Sequence, residues 1–258
     1  MTAEIAVTED RAIASGAQML YIHPAKQGVD YPYERVPATA QYYIMPVGVI
    51  GLMNLLRREG LAVRGLNEPL ERLLNLDFSL AAWLRAQPAP QLVLIDLHWY
   101  EHCYGAIDVA RLCKRVWPRT PVAVGGLTAS GFAQEILDTH HQVDVIIRGD
   151  AEEPLRLLAK ALCQKGRTLS EVPLEGIPNL SFRREWDDIH NPLGYRATAA
   201  DLARLDFVDV EFLEHARYYR GLLYAGKQAP YVLADGPPHL GHWLSIGRGC
   251  LYDCSYCG

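Results

Sequence analysis

Three closely spaced cysteines lie in the stretch GRGCLYDCSYCG, residues 247–258. Cys250, Cys254 and Cys257 follow the pattern C-x3-C-x2-C, which allows three thiolates to converge on one inorganic centre. A structural zinc site usually has four ligands, and His242 is the available fourth, although a predicted strand separates it from the cysteines. An iron–sulfur cubane usually takes four cysteines, so three would leave one iron open to another ligand. The spacing predicts a centre with an open position, with a zinc site or a chance group of thiols as alternatives.

The segment GCLYDCSYCG, with an aromatic residue directly before its last cysteine, resembles the signature of the radical S-adenosylmethionine (SAM) superfamily. The resemblance implies that Cys250, Cys254 and Cys257 hold a 4Fe-4S cluster whose open iron binds SAM. It also implies that Tyr256 and Gly258 contact SAM. In that superfamily, reductive cleavage of SAM gives a 5′-deoxyadenosyl radical that abstracts hydrogen from the substrate. The resemblance therefore also implies an electron donor, such as flavodoxin or ferredoxin.

Elements that could position this chemistry precede the cysteines. Short runs rich in Val, Ile and Leu alternate with stretches of helical periodicity, and the runs lie at 19–24, 61–66, 92–97, 121–126 and 143–149. Such runs are typical of strands buried on both faces. A helix is predicted from Pro46 to Gly60, and others follow the third, fourth and fifth runs. The alternation predicts an α/β fold with a doubly wound, Rossmann-like parallel sheet of five strands.

Regularity ends near Arg167, where prolines and glycines recur up to Gly241. Within this stretch, the segment NLSFRREWDD predicts a hairpin and LEHARYYRGLLYAG a short helix. The predicted organisation is an N-terminal extension, an α/β domain, a connector with a hairpin and a short helix, and the first strand of a truncated (β/α) barrel, at residues 1–17, 18–166, 167–241 and 242–258.

In an open parallel sheet, ligands bind beyond the carboxyl ends of the strands. The motifs that bind dinucleotides or P-loop phosphates are absent from this sequence. Residues 18–166 instead resemble the cobalamin-binding domain that precedes the radical domain in many members of the superfamily, through MPVGVIGLMNLLRREG, AVGGLTAS and VIIRGDAEEPL. Thr128 is predicted to cap the helix after the fourth strand. The resemblance predicts cobalamin contacts at Asp96, His98, Gly125, Gly126, Leu127, Thr128, Gly149, Asp150 and Glu152.

One departure concerns the ligand below the cobalt. Cobalamin domains of the methionine-synthase type carry D-x-H-x-x-G after the first strand, whereas this chain has HPAKQG there. Asp96-Leu97-His98 is similar, but it follows the third strand and Glu101 stands in place of the glycine. We therefore interpret His23 and His98 as polar residues of the crevice and predict cobalamin bound without a histidine axial ligand.

Net charge and the lack of long apolar segments predict where the protein is located and argue against some classes of partner. The net charge of −5 disfavours non-specific attraction to nucleic acid. The N-terminus lacks the apolar segment of a secretory signal, and no apolar run reaches the length of a membrane span, so a cytoplasmic location is predicted. Reduced thiols are expected there. Cys113 and Cys163 lie on helical patterns and are predicted to be small core residues, whereas Cys103 lies in a loop.

The sequence thus favours a cobalamin-dependent radical SAM enzyme that methylates an unactivated carbon or a phosphorus centre of a small molecule or natural product. Ring formation or rearrangement is the alternative within the enzyme class, and a cobalamin-binding module without catalysis is the alternative outside it. Because the barrel of that superfamily extends well beyond its cysteines, the 258-residue chain alone is expected to be inactive.

Overall fold

The computed structural model describes residues 18–28, 42–163, 167–184, 187–225 and 240–242. Cys250, Cys254, Tyr256, Cys257 and Gly258 lie outside the described residues, so the predicted cluster and SAM contacts stay predictions. The same holds for the predicted first strand of the barrel.

The described residues form a mixed α/β fold around one seven-stranded sheet, with the order β2-β1-β3-β4-β5-β6-β7. The strands are β1 Met19–His23, β2 Val63–Asn67, β3 Leu92–Asp96, β4 Val122–Gly125, β5 Val145–Ile147, β6 Leu180–Arg184 and β7 Asp187–His190. β1 to β5 pair in parallel. The predicted mixed α/β class with a largely parallel, Rossmann-like sheet is therefore confirmed.

The α-helices fall mainly in the connections between the strands. They are α1 Val47–Arg58, α2 Glu68–Leu74, α3 Leu80–Arg85, α4 Cys103–Val116, α5 Leu127–Gly131, α6 Ala133–Thr139, α7 Glu152–Cys163, α8 Ala199–Ala203 and α9 Ala216–Ala225. Pro46 immediately precedes α1, and Gly60, with φ of 84°, follows it, as the sequence predicts. No helix within the described ranges has the length and apolar character to cross a bilayer.

The sheet is two strands wider than predicted because the hairpin of β6 and β7 joins it. β6 pairs antiparallel with β5, placing Phe182 opposite Val145, and β7 pairs antiparallel with β6. Phe182 is fully buried, so the hairpin contributes to the core. The predicted hairpin is confirmed, and pairing with β5 supplies backbone partners that a free-standing hairpin would lack.

Two apolar clusters cover the two faces of the sheet. Met19 and Tyr21 of β1 belong to one cluster, and Leu20 and Ile22 belong to the other, as the alternation of side chains along a strand requires. α1 and α7 pack on the first face, and α3, α4 and α6 pack on the second.

Residues 210–222 complete the first cluster. Phe212 and Tyr219 are buried, and Gly65 of β2 exchanges backbone hydrogen bonds with the 212–214 segment. The short helix predicted there is α9. The division of the chain near residue 166 stays a prediction, while residues beyond it contribute to the same core.

Candidate functional site

The crevice of this fold lies at the carboxyl ends of β1 and β3. The chain leaves β1 towards α1, on one face of the sheet, and leaves β3 towards α4, on the other face. The two connections therefore diverge, which is the arrangement that opens a ligand crevice in doubly wound sheets. His23 ends β1 and Asp96 ends β3, so both residues lie at this point.

Backbone hydrogen bonds join the loops after β3 and β4. The Leu97 amide donates to the Gly125 carbonyl at 2.7 Å, and the Ala129 amide donates to the Leu97 carbonyl at 3.1 Å. The Thr128 hydroxyl donates to the His98 carbonyl at 3.1 Å. The prediction that Thr128 caps a helix is wrong, because it lies inside α5 and its hydroxyl is used between the loops.

The loops after β4 and β5 are joined by Ser130. Its hydroxyl donates to the Gly126 carbonyl at 2.7 Å and accepts from the Gly149 amide at 2.9 Å. Asp150 accepts from the Ala197 amide at 2.8 Å, and Glu152 is buried at the start of α7. The loops after β3, β4 and β5, which carry most of the residues predicted to contact cobalamin, are therefore hydrogen-bonded into one continuous edge.

Beneath this edge lies a buried polar network. Asp96 Oδ1 accepts from the Tyr21 hydroxyl at 2.6 Å and lies 2.9 Å from His23 Nδ1. His23 Nε2 lies 3.1 Å from the Tyr42 carbonyl oxygen. Asp96 is only 4% exposed, so its carboxylate faces the interior.

Electrostatic effects in this network follow from burial and the pairing of charges. Burial lowers the pKa of His23, but the negative charge and hydrogen bond of Asp96 outweigh it and leave the pKa raised. Burial likewise raises the pKa of Asp96, but His23 outweighs it and leaves the pKa lowered. The pKa of Tyr21 lies well above its usual value because of burial and the neighbouring Asp96. The arrangement favours an imidazolium–carboxylate pair.

His102, in the 3-10 turn Tyr100–His102 before α4, lies beside this pair. Its ring centroid is 5.2 Å from that of His23, 5.5 Å from that of Tyr42 and 5.7 Å from that of Trp99. It is fully buried, and within the described part of the chain neither of its ring nitrogens has a hydrogen-bond partner. Burial and the nearby His23 charge lower its pKa to about 4, so its ring is neutral near pH 7.

The two histidines considered as cobalt ligands differ in their surroundings. Both ring nitrogens of His23 are within hydrogen-bond distance of acceptors inside the protein. His98 is half-buried with its ring against Trp99, and burial lowers its pKa. Cobalamin binding without a histidine axial ligand stays a prediction.

The edge residues fit cobalamin chemically. A corrin is a flat, mainly apolar ring with amide groups on its rim, so it needs exposed apolar side chains beside accessible backbone. Leu127, the first residue of α5 after β4, is 61% exposed, and Tyr100, in the 3-10 turn after β3, is 71% exposed. Gly149 is exposed with φ of 63°, and a β-carbon built on it would meet only Asn179 Nδ2, at 3.8 Å. These residues could hold the ring and hydrogen-bond to its rim.

Sequence reasoning did not single out Tyr21 or His102, and it interpreted His23 as a polar residue of the crevice rather than a cobalt ligand. The close spacing of Asp96, His98 and His102 was the available hint of a polar cluster in the sequence. The contact between His23 and Asp96, however, comes from strand pairing and joins residues 73 positions apart. No local pattern reports that contact.

Comparison with known proteins gives two similarities. Residues 35–159 match the family described as the B12 binding domain. The chain is also 25% identical, over 214 residues, to the Hopanoid C-3 methylase of Methylococcus capsulatus, an alignment that covers 82% of this chain. The chain spans 35% of the length of that protein. Together with the fold, the match to the B12 binding domain supports cobalamin binding.

Proposed function

We propose that this chain is the cobalamin-binding part of a radical SAM methyltransferase that methylates an unactivated carbon. The observation that carries the proposal is the order of two features along one chain. A segment matching the B12 binding domain, residues 35–159, is followed by the C-x3-C-x2-C trio of Cys250, Cys254 and Cys257. Cobalamin-dependent methyl transfer to unreactive carbon needs both a methyl carrier and a radical initiator, which these features would provide.

The division of labour follows from the residues. Bound cobalamin supplies a methyl carrier, and a cluster with SAM supplies the substrate radical. The edge formed by Gly125, Gly126 and Leu127 would hold the corrin, with the joined loops fixing its position. The three cysteines would bind the cluster, and Tyr256 and Gly258 would contact SAM.

A carbon acceptor is favoured over phosphorus. The relative that aligns with 82% of this chain is named for methylation at a carbon position, C-3 of a hopanoid. The proposal takes from that name only the class of acceptor atom, because the identity is 25%.

The test is anaerobic reconstitution of the chain with iron, sulfide and hydroxocobalamin, followed by gel filtration and absorption spectroscopy. We expect one cobalamin and one 4Fe-4S cluster per chain. Cys254→Ser should remove the cluster absorbance and leave the cobalamin. Leu127→Glu should weaken cobalamin binding about 10-fold or more, since burying a leucine side chain is worth about 1.5–3 kcal/mol. Leu76→Glu is the matched control, because Leu76 is 72% exposed but lies between α2 and α3, so it should bind normally.

Each contrary outcome contradicts a defined part of the proposal. Cobalamin without a cluster would contradict the radical SAM part and favour a binding module. If the chain binds zinc instead of iron, and Cys254→Ser loses that zinc, a zinc site at the cysteines would be favoured. Equal cobalamin binding by Leu127→Glu and Leu76→Glu would contradict the assigned corrin edge.

A further inference from the structure

Three buried side chains with metal-binding atoms converge at the crevice. They are His23, Asp96 and His102, whose donor atoms all lie within 4.8 Å of one another. The exposed fractions are 0%, 4% and 0%, respectively. The residues come from the end of β1, the end of β3 and the turn before α4, so tertiary structure alone brings them together.

His102 points to a ligand that the described protein atoms do not supply. Among the described residues, its Nδ1 and Nε2 have no hydrogen-bond partner although the ring is fully buried. Its ring neighbours are aromatic, namely His23, Tyr42 and Trp99. Buried polar atoms are nearly always hydrogen-bonded, so an imidazole of this kind is an exception that needs an explanation.

The surroundings of His23 and Asp96 also require a positively charged species, either a proton or a metal ion. Asp96 Oδ1 already accepts from the Tyr21 hydroxyl, and His23 Nδ1 lies 2.9 Å from that same oxygen. His23 Nε2 faces the Tyr42 carbonyl, which can only accept. Both nitrogens of His23 therefore face acceptors, which requires either a second proton or a cation on Nδ1. With a metal ion on Nδ1, Nε2–H would donate to the carbonyl, as the second nitrogen of metal-bound histidines usually does.

We propose that His23 Nδ1, Asp96 and one ring nitrogen of His102 together bind one divalent first-row transition metal ion of the Zn²⁺ class. Imidazole and carboxylate are the usual protein ligands of such ions. Metal–ligand distances of about 2.0–2.2 Å place tetrahedral ligands about 3.3–3.6 Å apart, so the His23–Asp96 contact must lengthen slightly and His102 must approach. Binding releases the Nδ1 proton of His23 to solvent and changes no oxidation state.

The ion would join both sides of the crevice. It would tie β1 to β3 and to the start of α4, beneath the loops that follow the strands. Because all three ligands are buried, the site stabilises the frame of the crevice. It is separate from the cysteine trio in ligand chemistry, with nitrogen and oxygen donors and no sulfur.

The test uses the full chain free of cobalamin, with Cys250, Cys254 and Cys257 replaced by serine so that the thiolates cannot bind metal. This background is dialysed against chelator and titrated with Co²⁺, whose visible bands report its coordination. We expect one Co²⁺ per chain, no sulfur-to-cobalt charge-transfer band, displacement by Zn²⁺ and a higher thermal midpoint with metal. His102→Leu should weaken binding at least about 100-fold, beyond the 10–100-fold typical for loss of an outer-shell partner.

Two controls separate binding from folding. Without metal, His102→Leu should unfold at the same temperature as the background or a higher one, because the change removes buried nitrogens that have no partner among the described residues. His98→Gln should bind Co²⁺ normally, because His98 is close in sequence but outside the cluster. The proposal is overturned if the background binds no stoichiometric Co²⁺, if folded His102→Leu binds it equally well, or if His98→Gln loses binding to the same extent.

Discussion

Gly126 provides the sharpest test of how the crevice edge is built. It follows β4 with φ of 120° and ψ of 176°, a backbone conformation that L side chains rarely adopt. A β-carbon built on it would lie 2.6 Å from the Leu97 carbonyl oxygen and 2.7 Å from the His98 amide nitrogen. These are backbone atoms and cannot rotate aside, so Gly126→Ala must strain residue 126 and also separate the two loops.

The size of the effect follows from those two costs. The unusual backbone conformation costs a non-glycine residue about 1–3 kcal/mol. Separating the loops strains the hydrogen bonds from Leu97 to Gly125 and from Ala129 to Leu97, each worth about 0.5–1.5 kcal/mol. We therefore expect Gly126→Ala to lower the free energy of unfolding by about 2–6 kcal/mol.

Urea unfolding of the full chain, followed by circular dichroism, measures this loss. The matched control is Gly131→Ala, in α5 of the same loop region, where a β-carbon would meet no atom within 4 Å. Alanine is favoured over glycine in a helix by about 1 kcal/mol, so this variant should be as stable as wild type or more stable. A Gly126→Ala protein within about 1 kcal/mol of wild type, or two variants that lose equal stability, would refute the steric account.

Three further predictions address the core, an ion-pair cluster and the buried thiols. Phe212→Ala should lower the free energy of unfolding by about 3–5 kcal/mol because the ring is buried in the core. A loss below about 1 kcal/mol in urea titration would contradict the packing of residues 210–222 against the sheet. The hydrogen bond from Lys160 is the main cause that holds the pKa of Glu59 below its usual value. The ionised Glu59 therefore contributes its full stabilisation at pH values above its pKa in the unfolded chain, and this contribution is lost as the pH falls through its lower pKa in the folded chain. Glu59→Gln should therefore cost up to about 1 kcal/mol at pH 7, and urea titrations from pH 7 to about pH 3 should show the difference from wild type disappear; a constant difference would contradict the ion-pair origin. Burial raises the pKa of Cys113 to about 12 and that of Cys163 to about 11, so iodoacetamide with mass spectrometry should label both in urea and neither in the native chain, and rapid native labelling would contradict their burial.

Burial of those two thiols confirms a sequence prediction, since Cys113 is 1% and Cys163 is 5% exposed. Helical periodicity was sufficient there because burial of one face of α4 and α7 is a local property of the sequence. The five parallel strands were predictable for a similar reason. Each is a short run of branched apolar residues, and such runs are stable only when other elements cover both faces.

The strand with which the hairpin pairs was not predictable from the sequence of the hairpin. The pattern of NLSFRR and the turn after it indicates two strands, and β6 and β7 match that pattern. Which sheet edge receives them depends on Phe182 pairing opposite Val145 on β5, a contact between segments far apart in the chain. Strand partners and register are set by such long-range packing. The alternation of apolar and polar residues along one strand does not indicate which strand it pairs with.

The same distinction applies to the site. The cysteine spacing and the glycine-containing loops after the strands could be read from the sequence, because these are patterns of neighbouring residues. The meeting of His23, Asp96 and His102 depends on tertiary packing instead, and so does the inward direction of the Asp96 carboxylate towards Tyr21. Parallel pairing of β1 with β3 places Ile22 beside Ile95, which brings the ends of two strands from distant parts of the chain side by side. The chemistry of the buried cluster therefore depends on strand order, which no single segment of the sequence contains.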